Sequence, residues 1–178
     1  MKKNVIMAAL VACLSIPAVV AAAPDGTITF NGTISSQTCD VSVNNGSKDA
    51  KVTLPNVISS LLASQGQVAG ATSFTIDLKN CATSDGKVRA FFQAGSNVDS
   101  ASGNLKNNGT AAEVQVQLLD ADGNVLKAGD ESQRAGTANQ QTLNDGAATL
   151  SYAAQYYATG KAGPGSVATA VEYSVDYF

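Results

Sequence analysis

The segment VEYSVDYF, residues 171–178, decides the fold because it alternates apolar and polar residues up to the end of the sequence. Its apolar row consists of Val171, Tyr173, Val175 and Tyr177. Alternation with a period of two predicts a β-strand with one buried face. If this strand lies inside a sheet, no later segment follows to pair with its second edge. An uncovered edge beside a core favours the addition of a strand from another chain.

The same period runs through four earlier segments, which we predict to be strands. Their apolar rows are Phe74, Ile76 and Leu78 in SFTIDLKN, Val88, Ala90 and Phe92 in VRAFFQ, Val114, Val116 and Leu118 in AEVQVQLL, and Ala148, Leu150, Tyr152, Ala154 and Tyr156 in ATLSYAAQY. Turn-rich stretches such as TSDGK and LNDGAA separate them, and only VISSLLASQGQ, limited by Gly66 and Gly70, could hold a short helix. This pattern predicts one all-β domain, an immunoglobulin-like Greek-key β-sandwich.

A further alternating segment, GTITFNGTIS, lies near the start of the sequence at residues 26–35. Its apolar row is Ile28, Phe30 and Ile34, and Gly32 fills the gap in that row. Burying the three large side chains would contribute roughly 5–8 kcal/mol, at about 1.5–3 kcal/mol each. The strand therefore covers an apolar surface, either of its own sandwich or of another. A glycine in such a row is expected where a bulge forms or where another backbone or a shallow pocket comes close.

The first 22 residues have the pattern of a secretory signal peptide. Lys2 and Lys3 precede an apolar stretch from Val5 to Val20, and VVAAAP supplies small residues for cleavage. The stretch is short for a membrane span. We predict cleavage after Ala22, with Ala21 and Ala23 as neighbouring alternatives, and a mature domain over residues 23–178.

The mature chain contains two cysteines, Cys39 and Cys81. An even pair in an exported protein predicts a disulfide. A metal site would need further ligands, and the sequence has no histidine to supply one. The third cysteine, Cys13, lies in LVAC, a lipoprotein-like box within the leader, which leaves lipidation as an alternative to simple cleavage.

The composition argues against several classes of function. Without histidine, a Ser–His or Cys–His catalytic arrangement cannot form, so we expect no enzyme and no catalytic residue. Removing Lys2 and Lys3 leaves nine basic and fourteen acidic residues, a net charge of about −5, which disfavours a nucleic-acid partner.

A calcium loop is the one metal-binding alternative in the sequence. In DADGNVLKAGDE, the residues Asp120, Asp122, Asn124 and Glu131 fall at EF-hand ligand positions, but Val125 replaces the required glycine. The overlapping segment LDADGNVL, residues 119–126, fits a hairpin with an Asp-Gly turn better. We therefore expect no metal and no cofactor.

Five segments taken in order carry a family resemblance: GTITFNGTISSQTC, FTIDLKNC, YAAQYYATG, GKAGPGSVATA and VEYSVDYF with its penultimate Tyr177. Together with the cysteine spacing of 42, they resemble the major subunits of chaperone–usher pili, such as type 1 and P fimbriae. The resemblance implies an incomplete immunoglobulin-like sandwich over residues 37–178 that lacks its last strand. It also implies that residues 23–36 form a donor strand, which completes the sandwich of a neighbouring subunit.

The resemblance assigns roles to particular residues. Ile28, Phe30, Gly32 and Ile34 would fill a neighbour's groove, with Gly32 at its shallow position. Val171, Tyr173, Val175 and Tyr177 would line one wall of the groove and pair with a chaperone. Cys39 and Cys81 would form the disulfide that joins the first strand to the third. The chain departs from the family in a shorter segment before Thr27 and in its final residue, Phe178.

The implied function is that of a structural subunit of an adhesive surface pilus, polymerising head to tail by donor-strand exchange. The expected partners are identical or related pilin subunits, a periplasmic chaperone and an outer-membrane usher. The expected location is the cell-surface fimbrium, reached through the periplasm. Two alternatives remain open: a minor adaptor or terminator subunit of a pilus, and a secreted carbohydrate-binding β-sandwich.

Overall fold

The computed structural model describes residues 39–135, 137 and 139–178. Predictions on residues 1–38, among them the signal peptide and the row Ile28, Phe30, Gly32 and Ile34, lie outside the described residues. The segment Ser35–Phe178 is one compact unit. Across the described part, no helix is long and apolar enough to cross a membrane.

The described residues form nine strands and two short 3-10 helices. The strands are β1 (Asp40–Val43), β2 (Val68–Lys79), β3 (Lys87–Phe92), β4 (Leu105–Lys106), β5 (Val114–Leu119), β6 (Val125–Leu126), β7 (Gln141–Thr142), β8 (Ala148–Ala158) and β9 (Tyr173–Tyr177). The 3-10 helices are Ser59–Leu62 and Glu131–Arg134. One sheet has the order β1-β2-β8-β5-β4, with β6 also pairing with β5, and the other has the order β7-β3-β9. The prediction of an all-β domain is confirmed.

The core lies between the two sheets. The long pair β2 and β8 supplies most of one face, with Phe74 opposite Tyr152 and Ile76 opposite Leu150. The ring of Phe92 in the second sheet packs edge-on against Tyr152 at 5.1 Å between ring centroids. The alternation in the sequence therefore identified the core rows correctly, because each row faces the opposite sheet.

Strand β3 is buried on both faces, which its alternation does not indicate. Val88, Ala90 and Phe92 face the core, and Arg89 and Phe91 are also buried. The outer face is covered by the second 3-10 helix, whose Arg134 guanidinium lies 3.7 Å from the centroid of the Phe91 ring. A cation over an aromatic face is favourable in itself.

The disulfide Cys39–Cys81 is present. Cys39 directly precedes β1, and Cys81 follows β2 by two residues, so the bond joins the ends of two strands that pair with each other. The expected link from the first strand to the third is therefore wrong for the described strands. The hairpin predicted for LDADGNVL, residues 119–126, is confirmed as the connection of β5 to β6. The Asp120 carboxylate accepts hydrogen bonds from within its turn.

Candidate functional site

A large apolar cavity opens between the two sheets. Its volume is about 1690 Å³, against roughly 300–1,000 Å³ for a small-molecule pocket. Core side chains from both sheets form its floor: Phe74, Ile76, Phe92, Val116, Leu118 and Ala154. A cavity this large along a sheet suits an extended chain segment better than a compact ligand.

Four residues with alternating spacing line one side of this cavity. Val171, Tyr173, Val175 and Tyr177 all lie on the cavity and are half-buried, in contrast to the fully buried rows of the floor. Val171 lies just before β9, and the other three belong to it. Cys39 lines the cavity as well.

Strand β9 has one backbone edge with which no described strand pairs, and this edge borders the cavity. Lys87 and Phe178 exchange both backbone hydrogen bonds, and Gln93 N–H donates to Glu172 C=O at 2.8 Å. In an antiparallel pair, alternate residues point their backbone groups at the partner strand. Ser174 and Asp176 therefore also face β3, whereas Tyr173, Val175 and Tyr177 direct their N–H and C=O groups away from it. Among the described strands, none pairs with that side of β9.

The opposite edge of the same sheet is closed, in part by side chains. Strand β7 pairs with Lys87 and Val88 only. Beyond it, Ala90 N–H donates to the Tyr152 hydroxyl oxygen at 3.1 Å. The Gln133 carboxamide then accepts from Phe92 N–H at 2.9 Å and donates to Phe92 C=O at 3.0 Å. The backbone groups along one edge of this sheet are thus hydrogen-bonded within the chain. Along the other edge, no described strand supplies partners.

The second wall of the cavity is the segment of residues 48–57. Residues 48–54, Asn56 and Val57 line the cavity, and Val52 and Leu54 pack against the core. Two tyrosine hydroxyls hold the segment: Tyr173 donates to Lys48 C=O at 3.0 Å, and Tyr156 donates to Pro55 C=O at 3.2 Å. No backbone–backbone hydrogen bond joins residues 48–57 to other described residues. The cavity therefore lies between β9 and a second unpaired stretch.

An ion cluster fixes the outer face of β9. Arg134 binds both carboxylate oxygens of Asp176, at 2.7 and 3.2 Å, and the Arg89 Nε lies 3.7 Å from Asp176 Oδ2. The hydrogen bond to Asp176 raises the pKa of Arg134 above its usual range. Strand β9 is therefore held by β3 along one edge and by two arginines on one face, while its other edge and face border the cavity.

Burial changes the pKa values of three tyrosines at and below the cavity. It raises the pKa of Tyr152, and of Tyr156 and Tyr173 at the walls; for Tyr173 the nearby Asp49 charge adds to the effect of burial. These phenols are kept neutral, which suits their roles as hydrogen-bonding partners of the backbone.

Sequence reasoning missed Gln133, Tyr152 as an edge cap, and the wall of residues 48–57. Nothing in the periodicity marks Gln133, since it lies in a polar 3-10 turn, ESQR. The only signal for the wall is the short alternation of Val52 and Leu54.

A model of the family described as type-1 fimbrial protein, A matches residues 54–178. The chain is 43% identical to the F17 fimbrial protein of Escherichia coli over 160 residues, which is 86% of this chain and 87% of that protein. It is 42% identical to the major fimbrial subunit SMF-1 of Stenotrophomonas maltophilia, over 87% of this chain and 94% of that one. Among solved structures, it is similar in fold to the P pilus rod subunit PapA, with a TM-score of 0.56 at 18% identity over 78% of this chain and 99% of that chain.

Proposed function

Because this chain belongs to the type-1 fimbrial protein A family, we propose that it polymerises by inserting its N-terminal segment into the cavity of a neighbouring copy. The chain is a structural pilin, a subunit of a surface fimbrium. The proposal concerns how the subunits are joined and which residues form the joint. Residues 23–36 would be the donor strand and residues 37–178 the accepting body.

The observation that carries the proposal is the free edge of β9. Tyr173, Val175 and Tyr177 have N–H and C=O groups that pair with no other described residue, at the place where their side chains border an apolar cavity. A strand added there gains a backbone ladder along one side and buries one face. The alternating row of residues 28–34 has the period that such a site requires.

Gly32 would allow the donor strand to approach β9 closely. We place it opposite a shallow part of the cavity, where a larger side chain would hold the strand away from β9. The flanking Ile28, Phe30 and Ile34 would supply the buried apolar surface, about 1.5–3 kcal/mol each before the cost of ordering the segment.

The open edge also requires protection before assembly. An exposed, unpaired strand edge beside apolar surface pairs readily with other chains. We propose that a periplasmic chaperone covers β9 with its own strand, and that an outer-membrane usher exchanges it for the next subunit's donor strand. The signal peptide, residues 1–22, would be removed before the subunit reaches the cell surface. No catalytic step and no cofactor enter this scheme.

The test uses a variant that can accept a strand but cannot donate one. Deleting residues 24–36 should abolish its capture by another copy, while it still binds a synthetic peptide of residues 24–37. A peptide with Gly32→Leu should bind at least tenfold more weakly than the unchanged peptide. The matched control is Thr33→Leu, in the polar row, which should bind within about threefold. Equal binding of the Gly32→Leu peptide, or no binding of the unchanged peptide, would contradict the proposal.

A further inference from the structure

Three exposed apolar side chains lie at one end of the sandwich. Ile58 is 67% exposed, Leu61 51% and Val68 45%. Leu61 N–H donates to Ile58 C=O within the first 3-10 turn, which packs beside the start of β2, where Val68 lies. We call these three residues the apolar end patch. Their neighbour Leu62 is buried, so the turn is anchored while the patch faces outward.

The patch lies at one end of the cavity. Val57, Ser59 and Leu62, next to it in the chain, line the cavity, and Val167, which shortly precedes β9, packs on the same cluster as Leu62. The start of β9 therefore lies at this end of the cavity.

The other end of the cavity is the disulfide end, formed by Cys39, Cys81, Gly86 and Phe178. Lys87 and Phe178 exchange backbone hydrogen bonds after the end of β9, Leu143 N–H donates to Gly86 C=O, and Cys81 N–H donates to Gly146 C=O. These bonds connect the end of β9 to the disulfide.

The direction of an added strand follows from the sheet. Strands β7, β3 and β9 are all antiparallel, and a strand that continues this pattern runs from the disulfide end toward the apolar end patch. Its chain leaves the cavity beside the patch. Four residues, 35–38, separate Ile34 from Cys39 of the donor, so the Cα atoms of Ile34 and Cys39 can lie at most about 18 Å apart.

We propose that the apolar end patch is the contact surface for the body of a second copy of this chain, specifically for that copy's disulfide end. This rests on the proposed function, because the short connection is what holds the two bodies together. Phe178, 52% exposed at the disulfide end, offers an apolar counterpart. The contact joins different surfaces of identical subunits, so it repeats along an open fibre and restricts how each joint bends.

A complex with a single joint tests the contact without interference from fibre coiling. The acceptor lacks residues 24–36, so it can receive a strand but has none to donate. The donor is the full chain with its own cavity filled by the synthetic peptide of residues 24–37. Carbene labelling of Ile58, Leu61 and Val68 in the acceptor should fall at least threefold in this complex relative to the acceptor filled with peptide alone. Val125 is similarly exposed but lies on β6, which pairs with the end of β5 at the edge of the larger sheet, and its labelling should not change.

Substitutions on the acceptor separate the contact from strand uptake. Ile58→Asp and Leu61→Asp should leave peptide binding within twofold, yet the joint with the full-length donor should dissociate at least tenfold faster. Val125→Asp is the matched control and should change neither rate. Unchanged labelling, or an unchanged dissociation rate, would overturn the inference while strand uptake stands. Failure of the unchanged acceptor to bind the peptide would instead overturn the proposed function.

Discussion

Two buried polar side chains, Gln133 and Tyr152, take the place of a neighbouring strand along β3. A carboxamide has a donor and an acceptor, as a peptide group does, so Gln133 can satisfy the N–H and C=O of Phe92 together. The Tyr152 oxygen accepts from Ala90 N–H two residues earlier. At the scale of single residues, these caps leave β9 as the side of the sheet where a strand can be added.

Replacing Gln133 with leucine should destabilise the subunit. Leucine has nearly the same side-chain volume as glutamine, but it offers no acceptor to Phe92 N–H. Phe92 C=O keeps the hydrogen bond that it accepts from Gly129 N–H. An unsatisfied buried donor costs about 1–3 kcal/mol, and urea unfolding should show a loss of that size. Gln141→Leu, at an exposed position on β7, is the control and should change the free energy of unfolding by less than about 0.5 kcal/mol. Equal stability of the two variants would contradict the capping role.

Tyr152 should make stability depend on pH in the alkaline range. Burial raises its pKa in the folded state, so the unfolded chain loses the proton first, near pH 10. The contribution of Tyr152 to the free energy of unfolding is complete below pH 10. It falls as pH rises through the folded-state pKa, by at most about 1.4 kcal/mol per pH unit. The difference in unfolding free energy between the unchanged chain and Tyr152→Phe should be constant from pH 7 to 9 and should shrink above pH 10. A difference that stays constant up to pH 11 would exclude this linkage.

At the scale of elements, alternation predicted the strands because each has one face on the core. The segments predicted around Phe74, Val114, Leu150 and Val175 correspond to β2, β5, β8 and β9, and the short helix expected in VISSLLASQGQ is the 3-10 turn Ser59–Leu62. Periodicity could not reveal how β3 is covered, since Arg134 reaches Phe91 from 43 residues away in the chain. The four wall residues from Val171 to Tyr177 were predictable for the same reason as the strands. Residues 48–57 were not, because they pair with no strand in the part of the chain that the structure describes.

The two edges of β9 predict opposite effects of proline at adjacent positions. Val175 N–H faces the open edge, so Val175→Pro should leave the sheet intact but weaken binding of the peptide of residues 24–37 by at least tenfold. Ser174 N–H faces Phe91 in β3, so Ser174→Pro should remove a ladder bond and cost about 3 kcal/mol or more in stability. Circular dichroism and peptide titration distinguish the two outcomes. Full peptide affinity of Val175→Pro would argue against pairing at β9.

At the scale of the whole molecule, the described residues stabilise one another but do not themselves fill the cavity between the sheets. The disulfide closes a loop of residues 39–81, which on the chain-entropy model contributes about 4 kcal/mol. The cavity of about 1690 Å³ borders apolar side chains of both sheets, which would gain further contacts from an occupant. We therefore expect the free energy of unfolding to rise further when the cavity is filled.

Filling the cavity should raise the melting temperature substantially. Burial of Ile28, Phe30 and Ile34 amounts to about 5–8 kcal/mol before ordering costs. A net gain of about 3 kcal/mol corresponds to roughly 10 °C for a domain of this size. Calorimetry of the variant lacking residues 24–36, with and without saturating peptide, measures the shift, and a peptide scrambled to break the alternation serves as control. A shift below about 2 °C would show that the segment does not occupy the core.

If a donor strand pairs with β9 as proposed, this joint would also determine how a fibre carries tension. A donor strand lying along β9 is pulled parallel to its own length, so the load falls on the backbone bonds of Tyr173, Val175 and Tyr177 at once. Bonds loaded in shear must break together, whereas bonds peeled from one end break in turn. A fibre with such joints should resist steady pulling at forces that would unzip a hairpin with the same number of bonds.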